Sequence, residues 1–334
     1  MIASRALVGF LCAAFSIVLL APAAPAQQYE VGEEGTFSII GRDPSTGQLG
    51  IAVHSKTIAV GSRVRGGKGG VAVFAHQSAS NPMYSTLGIE LLEAGMTPQQ
   101  ALDMMLRSDE GRNSRQVAIL DAQGRTAAWT SPTITDWKGH KCGVNYCAQG
   151  NTLTGPEVVE AMAKSFESSS PTSAPLAERL LDALEAGQAQ GGDKRGVQSA
   201  SLMILKPLAI QGFGDRELDL RVDEHRTPFA ELRRILNAVR SGEMLSEANA
   251  RLTAKDLKGA LEKAHAAREK SPMNDNAWVV LANIHLQMGQ KSEALSAIGR
   301  AVELNPANKR QLQSNRAFET LYKDPDFLKI VGGS

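Results

Sequence analysis

The sequence has little of what would identify several classes of protein. Only three of its 334 residues are cysteines and only 5% are aromatic. Its 36 basic and 35 acidic residues leave a net charge of +1, so charge gives no argument for a nucleic-acid or anionic-membrane partner. It also lacks a G-x-S-x-G elbow, an H-E-x-x-H helix and a Walker A loop. We therefore expect no cofactor and no nucleic-acid partner.

Long apolar runs are missing as well, except at the N-terminus. Arg5 precedes an apolar stretch over residues 6–20, and Ala24-Pro25-Ala26 has the small residues of a signal-peptidase site. This pattern predicts a signal peptide over residues 1–26, a leader over residues 27–35, and an exported protein in the periplasm or outside the cell. No later stretch reaches the roughly 18 apolar residues that a membrane-spanning helix needs.

The two cysteines beyond the signal peptide, Cys142 and Cys147, flank residues 143–146, which are predicted to form a tight turn or a bulged strand. Together with the nearby His140 they do not complete a four-ligand zinc set, so we expect no metal. In an oxidising compartment the spacing is compatible either with a small-loop disulfide or with two free thiols. The sequence does not decide between the two.

Apolar periodicity predicts antiparallel sheets with helices outside them. A hairpin opens the folded chain, with strands starting at Thr36 and Leu49 around turn residues 43–47. Further strands are predicted at residues 71–75, 116–121, 126–130, 144–149, 197–205 and 218–222, and helices begin at Pro82, Thr97, Pro156 and Leu176. The glycine-rich residues 66–70 are predicted to interrupt any regular element. Because the first strands are joined by hairpins, we expect an antiparallel sheet core.

From residue 228 onward the strands stop and the sequence repeats itself. Ala260, Ala267 and Pro272 recur as Ala294, Ala301 and Pro306, an offset of 34 residues that is typical of tetratricopeptide helix pairs. We predict a connecting helix over residues 227–242 and a small all-α repeat domain over residues 243–334. Such repeats predict an unidentified protein or peptide as partner.

Several motifs are spread over the first part of the chain: TFSIIGRD at 36–43, GIAV at 50–53, Gln77, Asn81-Pro82, Arg115-Gln116, Gly150-Asn151 and GGDKRGVQSA at 191–200. Together they resemble the DUF1028 family, a domain of unknown function. The resemblance covers residues 36–236. It implies the α+β fold of the N-terminal nucleophile (Ntn) hydrolase-like superfamily, a four-layer αββα sandwich, here over residues 36–226. Because Ntn-like domains often self-associate through their outer helices, it also implies a homodimer.

The same resemblance implies a role for Thr36. In the Ntn superfamily, the first residue of the mature domain attacks an amide carbonyl, and its own α-amine takes up the proton. A signal-peptidase cut before Gln27 leaves Thr36 inside the chain, with its nitrogen in an amide. Activity therefore requires a second cut, at the Gly35–Thr36 bond.

Three further residue types are candidates for supporting groups. Lys56 and Lys68 can activate the nucleophile by their charge, or they are solvated surface lysines. Asn81 and Asn151 can donate to an oxyanion, or they cap a helix and form a turn. His54 stands where related hydrolases carry an acid, and on an alternating strand it can equally face outward.

Asp193 and Arg195 lie in a glycine-rich loop just before a predicted strand. This pair can orient an amine or bind a substrate carboxylate, or it only fixes the loop. Ser199 and Gln77 are further candidates for substrate binding. The resemblance gives no substrate.

Two functions of different classes remain. One is an exported hydrolase of an amide or peptide-like bond that depends on Thr36. The other is a catalytically silent Ntn-like binding or assembly module, whose helical repeat contacts the partner. A chain that begins at Thr36 would favour the first function, and a chain intact from Gln27 the second.

Overall fold

The computed structural model describes residues 35–134, 136–169, 174–208 and 212–332. The predicted signal peptide and all of the leader except Gly35 lie outside these residues. No helix among the described residues has the length and apolar character needed to cross a bilayer.

The chain forms strands first and helices last. The strands are β1 (Thr36–Arg42), β2 (Leu49–Ser55), β3 (Arg65–Lys68), β4 (Ala72–Ser78), β5 (Arg115–Asp121), β6 (Thr126–Thr130), β7 (Trp137–Gly143), β8 (Tyr146–Leu153), β9 (Ser199–Leu205) and β10 (Arg216–Val222). The helices are α1 (Met83–Glu93), α2 (Pro98–Ser108), α3 (Glu157–Ser169), α4 (Leu176–Ala189), α5 (Pro228–Thr253), α6 (Leu257–Lys270), α7 (Asp275–Gln287), α8 (Lys291–Leu304), α9 (Asn308–Ser314) and α10 (Pro325–Val331). Short 3-10 turns lie at Val60–Ser62, Arg112–Ser114, Gly212–Asp215 and Arg316–Leu321.

Two antiparallel sheets stack on each other. The six-stranded sheet has the order β10-β9-β2-β1-β8-β7, and the four-stranded sheet has the order β3-β4-β5-β6. Between them lies an apolar cluster that includes Ile40, Ile51, Val73 and Leu120. β1 lies inside the larger sheet, paired with β2 and β8, so its first residue is held from both sides.

Helices cover the outer face of each sheet. Phe166 of α3, Leu180 of α4 and Leu232 of α5 pack on the six-stranded sheet, and burying such a side chain contributes about 1.5–3 kcal/mol. The helices α1 and α2 pack on the four-stranded sheet around Phe74. The start of α2 is set by Thr97, which forms a capping box with Gln100. The predicted αββα arrangement is thereby confirmed.

Two strands were missing from the sequence prediction. In the glycine-rich segment 66–70, predicted to interrupt regular structure, residues 66–68 belong to edge strand β3, paired with β4, and only residues 69–70 form a turn. Glycine is required there because a Cβ on Gly67 would lie 2.7 Å from Leu205 Cδ1 and 2.8 Å from Ala72 O. The other strand, β7, pairs with β8, and a disulfide joins Cys142 and Cys147, whose Cα atoms are 4.0 Å apart.

The helix α5 links the sandwich to the repeats without a break. Its first half packs on the six-stranded sheet, while Ala248 and Leu252 pack into the core of the helical region. The helix therefore continues past the predicted boundary at residue 242, and the division of the chain there stays a prediction. Beyond α8, Phe318 and Phe327 are buried in the core of the helical region.

His54 is buried where α5 meets the sheet. Its ring is 5.0 Å from that of Phe37 and 4.8 Å from that of Phe229, and neither ring nitrogen has a hydrogen-bond partner among the described residues. Burial lowers the pKa of His54 to about 3, because the charge of Asp193, which acts in the opposite direction, does not offset the lost hydration. His54 is therefore neutral in the folded chain and faces the helices.

We expect His54 to make the fold less stable in mild acid. The unfolded chain binds a proton at this residue near pH 6.5, but the folded chain does so only near pH 3. The contribution of neutral His54 to the free energy of unfolding is therefore complete above pH 6.5 and is lost as the pH falls from 6.5 towards 3. The loss is about 2 kcal/mol at pH 5. The measurement is urea unfolding at pH 7 and pH 5 for the wild type and for His54→Leu, which should lose less stability between the two.

The matched control for this experiment is His225→Gln. His225 is exposed, so its replacement removes a histidine without disturbing the buried core. His76, whose pKa burial lowers to about 4, keeps its own contribution in all three proteins. Equal losses of stability in His54→Leu and the wild type would contradict the assignment to His54.

Candidate active site

Thr36 lies between two polar residues of the neighbouring strands. In the register of the six-stranded sheet it stands opposite Ser55 on β2 and Asn151 on β8. Directly paired residues project from the same face of a sheet. The Thr36 hydroxyl donates a hydrogen bond to Ser55 Oγ at 3.0 Å, and Thr36 is only 3% exposed.

The carbonyl oxygen of Gly35 accepts two hydrogen bonds. Ser55 Oγ donates one at 2.6 Å and Arg195 Nη2 donates the other at 2.7 Å. Ser55 therefore connects the hydroxyl of Thr36 with the carbonyl of the Gly35–Thr36 peptide bond. Donors in this position, one of them charged, withdraw electron density from the carbonyl carbon and stabilise negative charge on its oxygen.

Asp193 holds Arg195 in that position. Its carboxylate is fully buried and accepts from the Lys56 backbone N–H at 3.1 Å and from the Arg195 backbone N–H at 3.0 Å. The Arg195 guanidinium donates to the same carboxylate through Nε at 3.1 Å and Nη2 at 2.8 Å. Gly191 and Gly196, with φ of 105° and 106°, allow the loop to fold back on itself.

Gly35 packs directly against this ion pair. A Cβ built on Gly35 would lie 2.6 Å from Asp193 Oδ1 and 2.7 Å from its Cγ, which is closer than real Cβ atoms approach. We call Ser55, Asp193 and Arg195 the Gly35 cradle.

A buried network of amides fixes the backbone of Thr36 from the opposite sheet. Gln77 Nε2 donates to Thr36 O at 3.0 Å and to Gln116 Oε1 at 2.9 Å. Gln116 Nε2 donates to the carbonyls of Gly139 and Gly150, which fixes its orientation because carbonyls only accept. Asn151 Nδ2 then donates to Gln116 Oε1 at 2.9 Å.

Other predicted site residues make their contacts elsewhere. Lys56 Nζ donates to Val197 O at 3.2 Å, and Lys68 pairs with Glu93. Asn81 Oδ1 accepts from the Met83 N–H at the start of α1. Ser199 is paired with Ser55 in the sheet, and its Oγ donates to Thr57 O. Their predicted roles remain predictions.

The structure therefore brings together Thr36, Gln77, Asn151, Asp193 and Arg195, and adds two residues that sequence reasoning had not assigned, Ser55 and Gln116. Among the residues that the structure describes, no cluster of histidine, cysteine or carboxylate side chains is arranged to hold a metal ion.

Known families match both parts of the chain. The model of the family of unknown function DUF1028 matches residues 36–232, and a tetratricopeptide-repeat model matches residues 251–317. The crystal structure of a DUF1028 protein from Silicibacter pomeroyi is similar, with 31% identity and a TM-score of 0.54 over 60% of this chain and 84% of that chain. Anbu (ancestral beta-subunit) from Yersinia bercovieri has 14% identity and a TM-score of 0.31 over 64% of this chain and 96% of its own. A search of curated proteins finds no match.

Proposed function

Because this chain belongs to the DUF1028 family, whose function is unknown, we propose a function from its own residues: it hydrolyses amide or peptide-like bonds with Thr36 as nucleophile. Thr36 becomes N-terminal when the Gly35–Thr36 bond is cut. The observation that carries the proposal is the pair of hydrogen bonds to the Gly35 carbonyl, one of them from the serine that also accepts from Thr36.

The cradle supports cutting by the chain itself. Thr36 Oγ forms a bond to the Gly35 carbonyl carbon, its proton passes to Ser55 Oγ, and the Ser55 proton passes to the Gly35 oxygen. The C–N bond then breaks and the nitrogen takes up that proton, which leaves Gly35 as an ester on Thr36. Water hydrolyses the ester to a Gly35 carboxylate and a free α-amine. An oxyanion donor of this type contributes about 3–4 kcal/mol to such a step.

The free α-amine supplies the base for catalysis. An α-amine titrates near pH 8, whereas an amide nitrogen has no useful basicity. The amine takes the proton of Thr36 Oγ as the oxygen attacks a substrate carbonyl, and it returns the proton to the departing amine. Water then releases the acyl group. In this reaction Gln77 positions the backbone of Thr36, and Arg195 stabilises the charge on the carbonyl oxygen.

The first test is the mass of the purified, exported protein. We expect a chain that begins at Thr36, whereas Thr36→Ala should keep Gly35 and the residues before it. Thr36→Ser, which retains a hydroxyl, should still be cut. Thr46→Ala, at an exposed turn position, is the matched control and should be cut like the wild type. The proposal would be contradicted if the wild-type chain remained intact across the Gly35–Thr36 bond. It would also be contradicted if the Thr36→Ala chain were cut at this bond.

The helical repeats suggest a second, non-exclusive role. We propose that they bind a protein or peptide partner, because repeats of this type commonly do so. We further propose that the protein is exported, because of the signal-peptide pattern. We also propose that it forms a homodimer, because Ntn-like domains often self-associate. If Thr36 is never freed, binding becomes the favoured function of the whole chain.

A further inference from the structure

The Gly35 cradle has a property that bears on the substrate. We propose, on the basis of the function above, that this cradle also receives the acyl group of the substrate and excludes an L side chain on its α-carbon. The substrate class is then an amide whose acyl group has no L side chain at that carbon, such as a glycyl amide.

The restriction comes from a carboxylate that has no room to move. Asp193 is fully buried and accepts four hydrogen bonds, from two backbone N–H groups and from two positions on the Arg195 guanidinium. Displacing it by the ångström or so that a Cβ demands would break several of these bonds at once. A side chain held in this way is unlike the free end of a flexible side chain, which moves aside at little cost. The surface next to the α-carbon of Gly35 is therefore rigid.

The donors of the cradle do not depend on Gly35. Arg195 is held by Asp193, and Ser55 lies within strand β2, hydrogen-bonded to Thr36. Once the processed leader departs, a pocket of the size of a glycyl group is left beside Thr36 Oγ, with two donors directed at a carbonyl oxygen. A substrate carbonyl whose oxygen takes the place of the Gly35 oxygen is in reach of the nucleophile.

The reaction in this pocket is an acyl transfer to Thr36 followed by hydrolysis. The bond from Thr36 Oγ to the acyl carbon forms, the amide C–N bond breaks, and the proton from Oγ ends on the departing amine. Water then gives an acid without an L side chain next to its carboxylate, such as a glycine carboxylate. The leader that ends in Gly35 is a product of the same kind.

The test uses wild-type protein whose mass shows that it begins at Thr36. Two peptidyl epoxyketones are compared, and they differ only in the residue that carries the ketone, which is glycine in one and alanine in the other. The ketone carbon is the atom that a threonine hydroxyl attacks. A single methyl group commonly changes such rates by about 10–200-fold. We expect labelling of Thr36, followed by mass spectrometry, to be at least about tenfold faster with the glycine probe.

Three results would overturn the inference, and they differ in meaning. Labelling by the alanine probe at an equal or higher rate shows that the cradle does not select the acyl group, and leaves the proposed function standing. Labelling at residues other than Thr36 contradicts the assignment of Thr36 as the nucleophile, and therefore contradicts both proposals. Failure of both probes on a chain that begins at Thr36 also removes both proposals.

Discussion

Gly35→Ala is expected to leave the chain uncut before Thr36. The added Cβ would meet the carboxylate of Asp193 at 2.6 Å, so the residue must shift away from Arg195 and Ser55. A displacement of about 1 Å at a reacting centre can cost about 100-fold in rate. We therefore expect cleavage at least about 100-fold slower than in the wild type, measured as the fraction of intact chain over time by mass spectrometry.

The control is the same substitution at a glycine with free space around it. A Cβ on Gly299, in α8, meets nothing within 4 Å. Gly299→Ala should be cut at the wild-type rate and be more stable by about 0.5–1 kcal/mol, because alanine is the better helix former. Cleavage of Gly35→Ala at the wild-type rate would show that Asp193 moves aside. This result would also contradict the proposed restriction on the acyl group of the substrate.

The sequence indicated Thr36 and its charged neighbours but not how they meet. Asp193 and Arg195 lie more than 150 positions from Thr36 along the chain, and only the order of the strands places their loop beside Gly35. Ser55 was missed although the predicted hairpin contained the necessary signal. If Arg42 is paired with Leu49, where the second strand is predicted to start, extending the pairing outward puts Thr36 opposite Ser55, as the structure does.

The missed elements share a physical cause. The sequence of β3 is dominated by glycine, which favours turns in isolation, but here it allows close packing between the sheets. The helix α5 contains Gly242 at the predicted domain boundary, where a glycine commonly ends a helix. Instead it continues because the residues on both sides are held by packing: Leu236 in the core of the sandwich and Leu252 in that of the repeats. Tertiary contacts decided both cases.

Asp193→Asn is expected to weaken the fold and to stop cleavage. An amide keeps the shape of the side chain but removes the charge, and one of its NH₂ hydrogens faces the Arg195 guanidinium. Leaving one partner of a buried ion pair uncompensated costs about 3–5 kcal/mol. Because the Arg195 side chain is 22% exposed, we expect a loss near about 3 kcal/mol in the free energy of urea unfolding.

The matched control is Asp223→Asn, which makes the same change in an aspartate–arginine pair at the surface. Asp223 and its partner Arg221 are 48% and 36% exposed, so the loss should be at most about 1 kcal/mol and cleavage should be normal. Equal losses in the two variants would mean that the Asp193 charge is not important for the fold.

Arg195→Lys separates charge from geometry in the same pair. A lysine keeps the positive charge beside Asp193, so most of the stability should remain. Its single ammonium lacks the planar fork with which Arg195 bonds both carboxylate oxygens and the Gly35 carbonyl. We therefore expect a folded protein that is cut about 100-fold more slowly, the cost of one lost oxyanion donor. Wild-type cleavage with lysine would show that positive charge suffices, and that the Ser55 hydrogen bond directs the attack on Gly35.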